Sequence, residues 1–457
     1  SSFLLVSTPP FTSGMRVLAG LSAAAWAQAP ALIPVANNTI AGGPEAFSFP
    51  KVHDKFTVFN GKYSGEDRLE VYHGTQLIES VSTTGSIYTY FGDFDVGSSP
   101  ERYAVALLAE SSAGKSGIFV HSGNTSTDKD QIVVELGSAM PGRNETFAYL
   151  ADPSILVLED EVRVAFMAKG TTDYRAVYVG TSKKGGPFEL EVVVDETSGI
   201  PGDKGYFFKC FYGPQVTVDS LVFFGSHCGT KSIRGPVDDN GYGPIEAEAM
   251  RRKVVGSTTA ADHVLKVDHL DAGIFTVDLR SKAIHPVASM SAATKVPGKG
   301  NETFTSFSEP VVSGSFAAFA GLSSGGAVGL YRYDSQRHAL TKVVDTTDTV
   351  PGAGVPYSDF PRGCSVGADG AVAFYAVAPS DNTGIFAQDA AAHPIAKLLD
   401  MNTTVDSHTL DYIGFGAEGY TADAESIVTY LVLLNSSSPI LGVWELQHIR
   451  GESQVVV

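Results

Sequence analysis

The chain has 457 residues, 43% of them hydrophobic, and its 50 Asp plus Glu against 32 Lys plus Arg give a formal net charge of −18. Negative charge on that scale excludes nucleic acid or an anionic membrane surface as the main partner, because both would repel it. With 48 glycines, 26 phenylalanines, 18 tyrosines and only 18% charged residues, the composition suits many tight turns between aromatic-rich strands. Repetition of one unit then argues for a single large array, where length alone would suggest two or three domains.

Taken in order, residues 1–14 precede Met15 and match no fold element; they read as an upstream extension. Met15 and Arg16 lead into an apolar run, Val17 to Trp26, that ends in Ala25-Trp26-Ala27. A basic start, an apolar centre and an A-x-A site are the pattern of a secretory signal peptide over Met15–Ala27, and the run is too short to span a bilayer. The expectation is a secreted, extracellular chain with no membrane insertion, residues 28–457 forming one domain. Its first segment, Leu32 to Gly43, matches the end of a later repeat, Leu340 to Ala353, and so reads as the outermost strand of a unit whose other strands lie elsewhere.

The repeat is clearest from Val296 to Asp345. A Pro-Gly turn is followed by four apolar runs, Phe304–Val312, Phe316–Ala320, Val328–Tyr333 and Ala339–Val344. Four short strands at close spacing make one antiparallel sheet, and a repeated four-stranded sheet is a propeller blade. The same pattern runs from Phe47 to Val81, Ser86 to Leu136, Pro141 to Asp195, Pro201 to Asp278 and beyond, from Pro351, and from Thr403 to Gln447. The last unit lacks a fourth strand, which the N-terminal segment can supply. The predicted fold is therefore all-β, a seven-bladed β-propeller closed by the N-terminal strand. Gln454–Val457 competes for the missing strand, and that alternative makes the array eight-bladed or clipped.

The unit from Pro201 departs from the pattern. An insertion, residues 227–272, separates its second strand from its third, Gly273–Asp278. The insertion holds Asp238, Asp239, Arg251, Arg252, Asp262, His263, Asp268 and His269, which form the candidate binding set. Asp238-Asp239-Asn240-Gly241 offers oxygen ligands for a structural calcium, without the spaced register ending in Glu of an EF-hand; a plain turn explains it as well. The two Asp-His pairs could orient a base, and the Arg pair could meet an acidic sugar; both also suit a solvated loop. No other cofactor or metal motif is present, and the catalytic residues, if any, are unassigned. Blade-to-blade loops and loops joining second to third strands leave antiparallel blades at the same end, so the insertion and the Pro-Gly turns share a face.

Cys210 and Cys228 flank a hairpin turn at Asp219-Ser220 and are expected to form a disulfide, leaving Cys364 as a buried thiol. Six of the ten asparagines, Asn37, Asn124, Asn144, Asn301, Asn402 and Asn435, sit in N-x-[ST] sequons, which makes the chain a candidate glycoprotein.

Gly367-Ala-Asp-Gly-Ala-Val-Ala-Phe374, with weaker versions at Ser313–Phe319 and Glu159–Phe166, resembles the tandem NxxGxxAF repeat of exported choice-of-anchor proteins, with the Asn replaced. The resemblance spans most of the mature chain and implies a repeat β fold; it carries no catalytic residue. Two functions follow from the whole: a non-catalytic extracellular module that binds a glycan or protein partner or joins a surface assembly, or a secreted polysaccharide lyase or glycoside hydrolase with its site at the channel mouth. The absence of a nucleophile, metal or phosphate-loop motif favours the first.

Overall fold

The structure, a computed structural model, describes residues 31–38, 44–227 and 271–447, apart from 49, 85, 100–101, 124–129, 204, 291–293, 362–363, 380–381, 393, 406–407, 421–425 and 435–439. Within those residues all regular structure is β, and every strand pairing is antiparallel. Six blades each use one continuous stretch of chain. In blade 2 the strands run Tyr88–Ser99, Arg102–Ser111, Ser116–Gly123 and Gln131–Glu135 from inside to outside; in blade 3 they are Phe147–Val157, Glu161–Gly170, Arg175–Lys183 and Glu189–Asp195. Blade 1 comprises Ala46–Phe47 and Lys51–His53, both paired with Phe56–Tyr63, then Glu66–His73 and Gln76–Ser82. Blade 4 comprises Cys210–Val216, Ser220–Ser226, Gly273–Asp278 and Ile284–Ser289. Blade 5 comprises Phe304–Phe307, Phe316–Ser323, Val328–Asp334 and Ala339–Asp345, and blade 6 comprises Cys364–Val366, Val372–Ala376, Gly384–Gln388 and Ala396–Asp400.

The sequence predicts seven blades with the last completed by the N-terminal strand; among the described residues the structure has six, and the remaining unit is not one more blade of continuous chain. It is a composite sheet in which His408–Tyr420, Ser426–Leu434 and Ile440–Gln447 are joined by Ala31–Asn37 from the other end of the chain. Leu32 lies opposite Leu446 and Asn37 opposite Gly442, so the N-terminal segment is the outer strand that its sequence suggested. Residues 454–457, the competing strand, lie outside the described residues.

One local constraint recurs in six of the seven described sheets. The third strand carries Gly117-Ile118-Phe119, Ala176-Val177-Tyr178, Gly273-Ile274-Phe275, Gly329-Leu330-Tyr331, Gly384-Ile385-Phe386 or Gly442-Val443-Trp444. Opposite the aromatic residue the outer strand bulges by one residue, which is Val133, Val193, Val287, Val343, Leu398 or Val35. All six are buried, and burying a branched aliphatic side chain contributes about 1.5–3 kcal/mol. The bulge turns that side chain into the seam with the next blade and pushes an outer-strand carbonyl toward the glycine. A Cβ on Gly117 would stand 2.4 Å from Val134 O, and one on Gly384 only 1.9 Å from Leu399 O. The core is accordingly a series of seams between neighbouring sheets, such as the cluster of Val133, Phe147, Ile155 and Tyr178 between blades 2 and 3.

Blades are joined by a second repeated device. Met140-Pro141-Gly142, Ile200-Pro201-Gly202, Val296-Pro297-Gly298 and Val350-Pro351-Gly352 each bury the first residue and hold the glycine at φ of 72–87°. The first carbonyl accepts from the N–H three residues on, at 3.1–3.2 Å. Proline followed by a left-handed glycine is the requirement of a type II turn. The outer strand before the turn ends in an acceptor that caps it: Asp345 receives the Thr347 N–H at 2.7 Å and is flanked by Lys342 Nζ at 3.1 Å and Lys299 Nζ at 3.0 Å. Burial raises the Asp345 pKa, but Thr347 and the two lysines more than offset it and bring it to about 2.

Inside, the first strands stitch blade to blade: Asp95 accepts from Ile155 N at 2.8 Å, and Ser154 from Val216 N at 3.2 Å.

Two outcomes are expected. Because the Asp345 pKa is depressed, its ionised form stabilises the fold above the unfolded pKa of 3.8, and that contribution, about 2 kcal/mol, fades as pH falls toward 2. Urea unfolding of Asp345→Asn should therefore show a stability gap to the parent at pH 7 that narrows between pH 4 and pH 2; a gap independent of pH contradicts the ionic account. Gly384→Ala should cost about 1–3 kcal/mol in the same assay, as overpacking does, whereas a neutral result would mean the bulge carbonyl yields freely.

Candidate functional site

If function lies where the repeat is broken, blade 4 is the first place to look. Its Pro-Gly turn continues into Asp203, where the equivalent turns continue into Arg143 and Lys299. In blade 3 the Arg143 guanidinium lies 3.6 Å from the centre of the Tyr174 ring, a cation–π contact that stabilises the turn. The residue of blade 4 in the place of Tyr174 is Asp271, two residues before the third-strand glycine. A cation on an aromatic ring is thus replaced by two carboxyl groups hydrogen-bonded to each other. Asp271 is buried. Burial, then the hydrogen bond and negative charge of Asp203, raise its pKa to about 6, with His227 pulling the other way. Two carboxylates in contact cannot both ionise at ordinary cost, so the pair holds a proton well above the usual carboxylate range.

His227 closes the second strand side of this site. Its Nδ1 lies 3.0 Å from Phe207 O; a carbonyl only accepts, so Nδ1 carries the proton and Nε2 is left as the other face of the ring. The Tyr206 ring meets the imidazole edge-on at 5.0 Å. Tyr206 and Phe207 are each 46% exposed, an unusual exposure for adjacent aromatic residues in a chain that buries most of its Phe and Tyr. Arg175 lies alongside, donating from Nη1 to Lys209 O and toward Cys210 Sγ, both at 3.3 Å. Chemically the site offers a proton-sharing carboxyl pair, an imidazole and two exposed rings, next to basic groups on the adjoining blade.

The candidate residues inside the insertion, Asp238, Asp239, Arg251, Arg252, Asp262, His263, Asp268 and His269, lie outside the described residues, as does Cys228. His227 and Asp271, near the two ends of the insertion, are described, and both belong to this site. The hairpin register differs from the sequence expectation: Cys210 lies opposite Ser226, because the turn is centred on Val218-Asp219 and the strand bulges between Tyr212 and Gln215. Equal spacing from the turn is therefore not cross-strand pairing here. Cys364 is buried in blade 6, where burial pushes its thiol up to about 12, as a structural cysteine requires. Of the sequon asparagines, Asn144, Asn301 and Asn402 are exposed in blade-to-blade loops, Asn37 is half-buried at the end of its strand, and Asn124 and Asn435 lie outside the described residues.

Two further clusters escaped the sequence reading because their members are far apart in the chain. His53, Asp54 and Ser98 meet where the first hairpin of blade 1 touches the inner strand of blade 2. Ser98 Oγ lies 2.9 Å from His53 Nδ1 and donates its proton to Asp54; Asp54 is 3.5 Å from the same ring nitrogen. A nucleophilic triad needs serine and carboxylate on opposite nitrogens of the ring, so this is a structural cluster. At the seam of blades 1 and 2, His121 is clamped between Glu79 at 3.0 Å and Asp130 at 2.8 Å. Tyr103 donates to Glu79, and Tyr88 to Asp130 at 2.6 Å. Burial lowers the His121 pKa, but the hydrogen bonds and charges of both carboxylates carry it to about 9, so the imidazolium is a fixed cation of the seam.

No protein-family profile matches the sequence, and neither does any curated protein. Among solved structures, the chain is similar to a puromycin-hydrolysing peptidase from Mycobacterium tuberculosis at 10% identity and a TM-score of 0.45, covering 89% of this chain and 54% of that one. It is similar to the β-propeller domain of the Trilobed protease from Pyrococcus furiosus at 10% identity and a TM-score of 0.45, covering 89% and 98%. A Penicillium chrysogenum α-L-arabinanase aligns at 11% identity and a TM-score of 0.34, covering 79% and 94%. The chain thus spans about half the length of the first of these. At such identities and scores, the likeness carries no argument about substrate or reaction.

The carboxyl pair makes a direct prediction. In Asp203→Asn the Asp271 carboxyl should titrate below 6 while burial, the larger cause, keeps it above the ordinary value of 3.8, as read by carbon NMR of the side chain. A midpoint that stays near 6 would assign the shift to burial alone.

Proposed function

We propose that the protein is a secreted extracellular β-propeller that acts as a non-catalytic binding module, gripping a glycan at the Pro-Gly face of blade 4. The observation that carries this reading is the replacement of the Arg143–Tyr174 contact of blade 3 by Asp203 and Asp271 in blade 4, beside exposed Tyr206 and Phe207. Like-charge carboxyls weaken the turn they occupy, so their place is accounted for by a ligand. A sugar fits: its hydroxyls take hydrogen bonds from a carboxyl and give them to a carboxylate, and its apolar face stacks on an aromatic ring. Secretion rests on the Met15–Ala27 signal pattern, and glycan attachment on the exposed sequons.

The enzymatic alternative, a polysaccharide lyase or glycoside hydrolase, draws on the raised Asp271 pKa, which suits a general acid. Against it stands the contact between the two carboxyls. Glycoside hydrolysis by a carboxyl pair needs them about 5–5.5 Å or 6.5–9.5 Å apart, with the bond to be cut between them.

The same reading includes closure of the array by the N-terminal strand. It is supported by the pairing of Ala31–Asn37 with Ile440–Gln447 and by the seam of Val35, Phe47, Phe59, Tyr72 and Val443 between composite sheet and blade 1. It also includes a Cys210–Cys228 disulfide, supported by Cys364 being the free cysteine among the described residues.

The test is a glycan array with the mature chain, run beside a reducing-end release assay on the polysaccharides that bind. Binding without release, weakened at least tenfold in Tyr206→Ala, is the expected result. Release of reducing ends would overturn the non-catalytic reading, and binding indifferent to Tyr206→Ala would displace the site.

A further inference from the structure

Blade 1 breaks the repeat on its outer side. Where the other sheets have glycine or alanine before the third-strand apolar pair, blade 1 has Glu70, opposite Ser80. Where they have Val134, Val194, Ala288, Val344, Leu399 or Ala36 after the bulge, blade 1 has Glu79. Its bulge residue is Ile78, which is 42% exposed although its six counterparts are buried. The neighbouring blade supplies the reason. Val133 of blade 2 packs against Gly180 of blade 3, 3.0 Å from where a Cβ would be. The residue of blade 2 in the place of Gly180 is His121, two residues beyond the third-strand aromatic. Its imidazole, held by Glu79 and Asp130, occupies the seat that Ile78 would otherwise fill.

The edge also differs from that of four other sheets. The outer-strand residue opposite the aromatic is Pro34 in the composite sheet, Pro286 in blade 4, and Lys342 and Lys397 in blades 5 and 6, whereas it is aliphatic, Ile132 and Val192, in the outer strands Gln131–Glu135 of blade 2 and Glu189–Asp195 of blade 3. Proline and lysine are the residues that keep a sheet edge from pairing with another strand. In blade 1 this residue is Leu77, 46% exposed, and the strand Gln76–Ser82 contains neither lysine, arginine nor proline. Blade 1 thus presents an open edge of seven residues with two exposed aliphatic side chains.

We infer that the outer strand of blade 1, Gln76–Ser82, is a docking edge for an extended strand of a basic partner protein, added antiparallel to the sheet with apolar side chains set on Leu77 and Ile78. Main-chain hydrogen bonds of such an added strand supply affinity, and alternate side chains supply selectivity. Charge selects the partner. The chain carries −18, so an acidic segment is repelled and a basic one attracted. A second copy of this chain is disfavoured twice: two such charges repel, and antiparallel self-pairing about the strand centre sets Glu79 against Glu79. This inference is independent of the glycan site on blade 4.

The experiment uses the mature chain and a synthetic nine-residue peptide of alternating lysine and valine, with an alternating glutamate and valine peptide as counterpart. The decisive variant is Leu77→Pro, which copies Pro34 and Pro286 at the same repeat position and leaves the charge unchanged. The parent should bind the lysine peptide in the micromolar range by fluorescence anisotropy. Leu77→Pro should lose at least tenfold in affinity with an unchanged circular dichroism spectrum and melting midpoint, and Leu77→Lys should behave alike. If Leu77→Pro lowers the melting midpoint, Leu77→Lys decides. Tyr206→Ala should leave peptide binding intact, just as Leu77→Pro should leave glycan binding intact. Equal binding of the glutamate peptide, no binding of the lysine peptide, or affinity indifferent to both Leu77 variants would overturn the inference. So would a dimer in sedimentation velocity that Leu77→Pro dissolves, since the occupant would then be a second copy.

Discussion

Everything in this fold depends on how closely the outer strand of each sheet approaches the third. In six of the seven described sheets, one extra residue in the outer strand swings an aliphatic side chain into the seam with the next blade and brings the outer strand against the third, where a glycine, or in blade 3 an alanine, stands. The aromatic residue two positions on from that small residue then fills the blade interior, as Tyr178 does against Phe147 and Phe166. Seam packing, bulge and glycine are one constraint seen from three sides. Sheets that meet it can be stacked side by side without any long-range specificity beyond their shape, which is how a repeat array gains a large core from short units.

Because the constraint is so regular, its exceptions stand out physically. Blade 1 puts carboxylates at two of its positions. Glu70 is buried, and burial raises its pKa while hydrogen bonds from Tyr63 and Tyr72 act in the opposite direction. Glu79 recruits His121 into the seam and displaces Ile78 to the surface. Blade 4 sets Asp203 against Asp271 where its neighbour has a cation on a ring. Buried charges of this kind cost desolvation energy that packed aliphatic residues would not, so each exception weakens the sheet it sits in while creating a surface the regular blades lack. The two lie on different parts of the molecule, one on the outer rim and one on the face of the Pro-Gly turns, and act through different chemistry.

Two other polar groups are tied up inside the fold. Arg332 is buried in the seam of blades 5 and 6 and donates only to carbonyls, those of Gly370, Asp389 and Ala390 at 2.6–3.2 Å. Ser98 spends its hydroxyl proton on Asp54. Such arrangements fix blades relative to one another, and they show why a list of chemistry-bearing residue types is a poor guide in this fold. The geometry around each atom decides whether it is available.

Much of the architecture was legible from the chain alone. Proline followed by glycine, four apolar runs and an acidic or hydroxyl end recur often enough to place the strands of Val328–Asp334 or Gly273–Asp278 almost to the residue, because turn chemistry and strand period are local properties. The pairing of Ala31–Asn37 with the far end was legible too, since the segment from Leu32 matches the end of a later repeat, Leu340 to Ala353. Tertiary structure decided the rest. The turn at Val218-Asp219 and the bulge between Tyr212 and Gln215 moved Cys210 opposite Ser226, and no spacing rule reports a bulge. Asp203 and Asp271, 68 positions apart, met only because a turn and an insertion end leave blade 4 on the same side. Sequence fixes which residues alternate and where the chain must turn, through forces that act over a few residues; which carboxyls share a proton, and which isoleucine is pushed into water, depends on what the neighbouring blade brings to the seam.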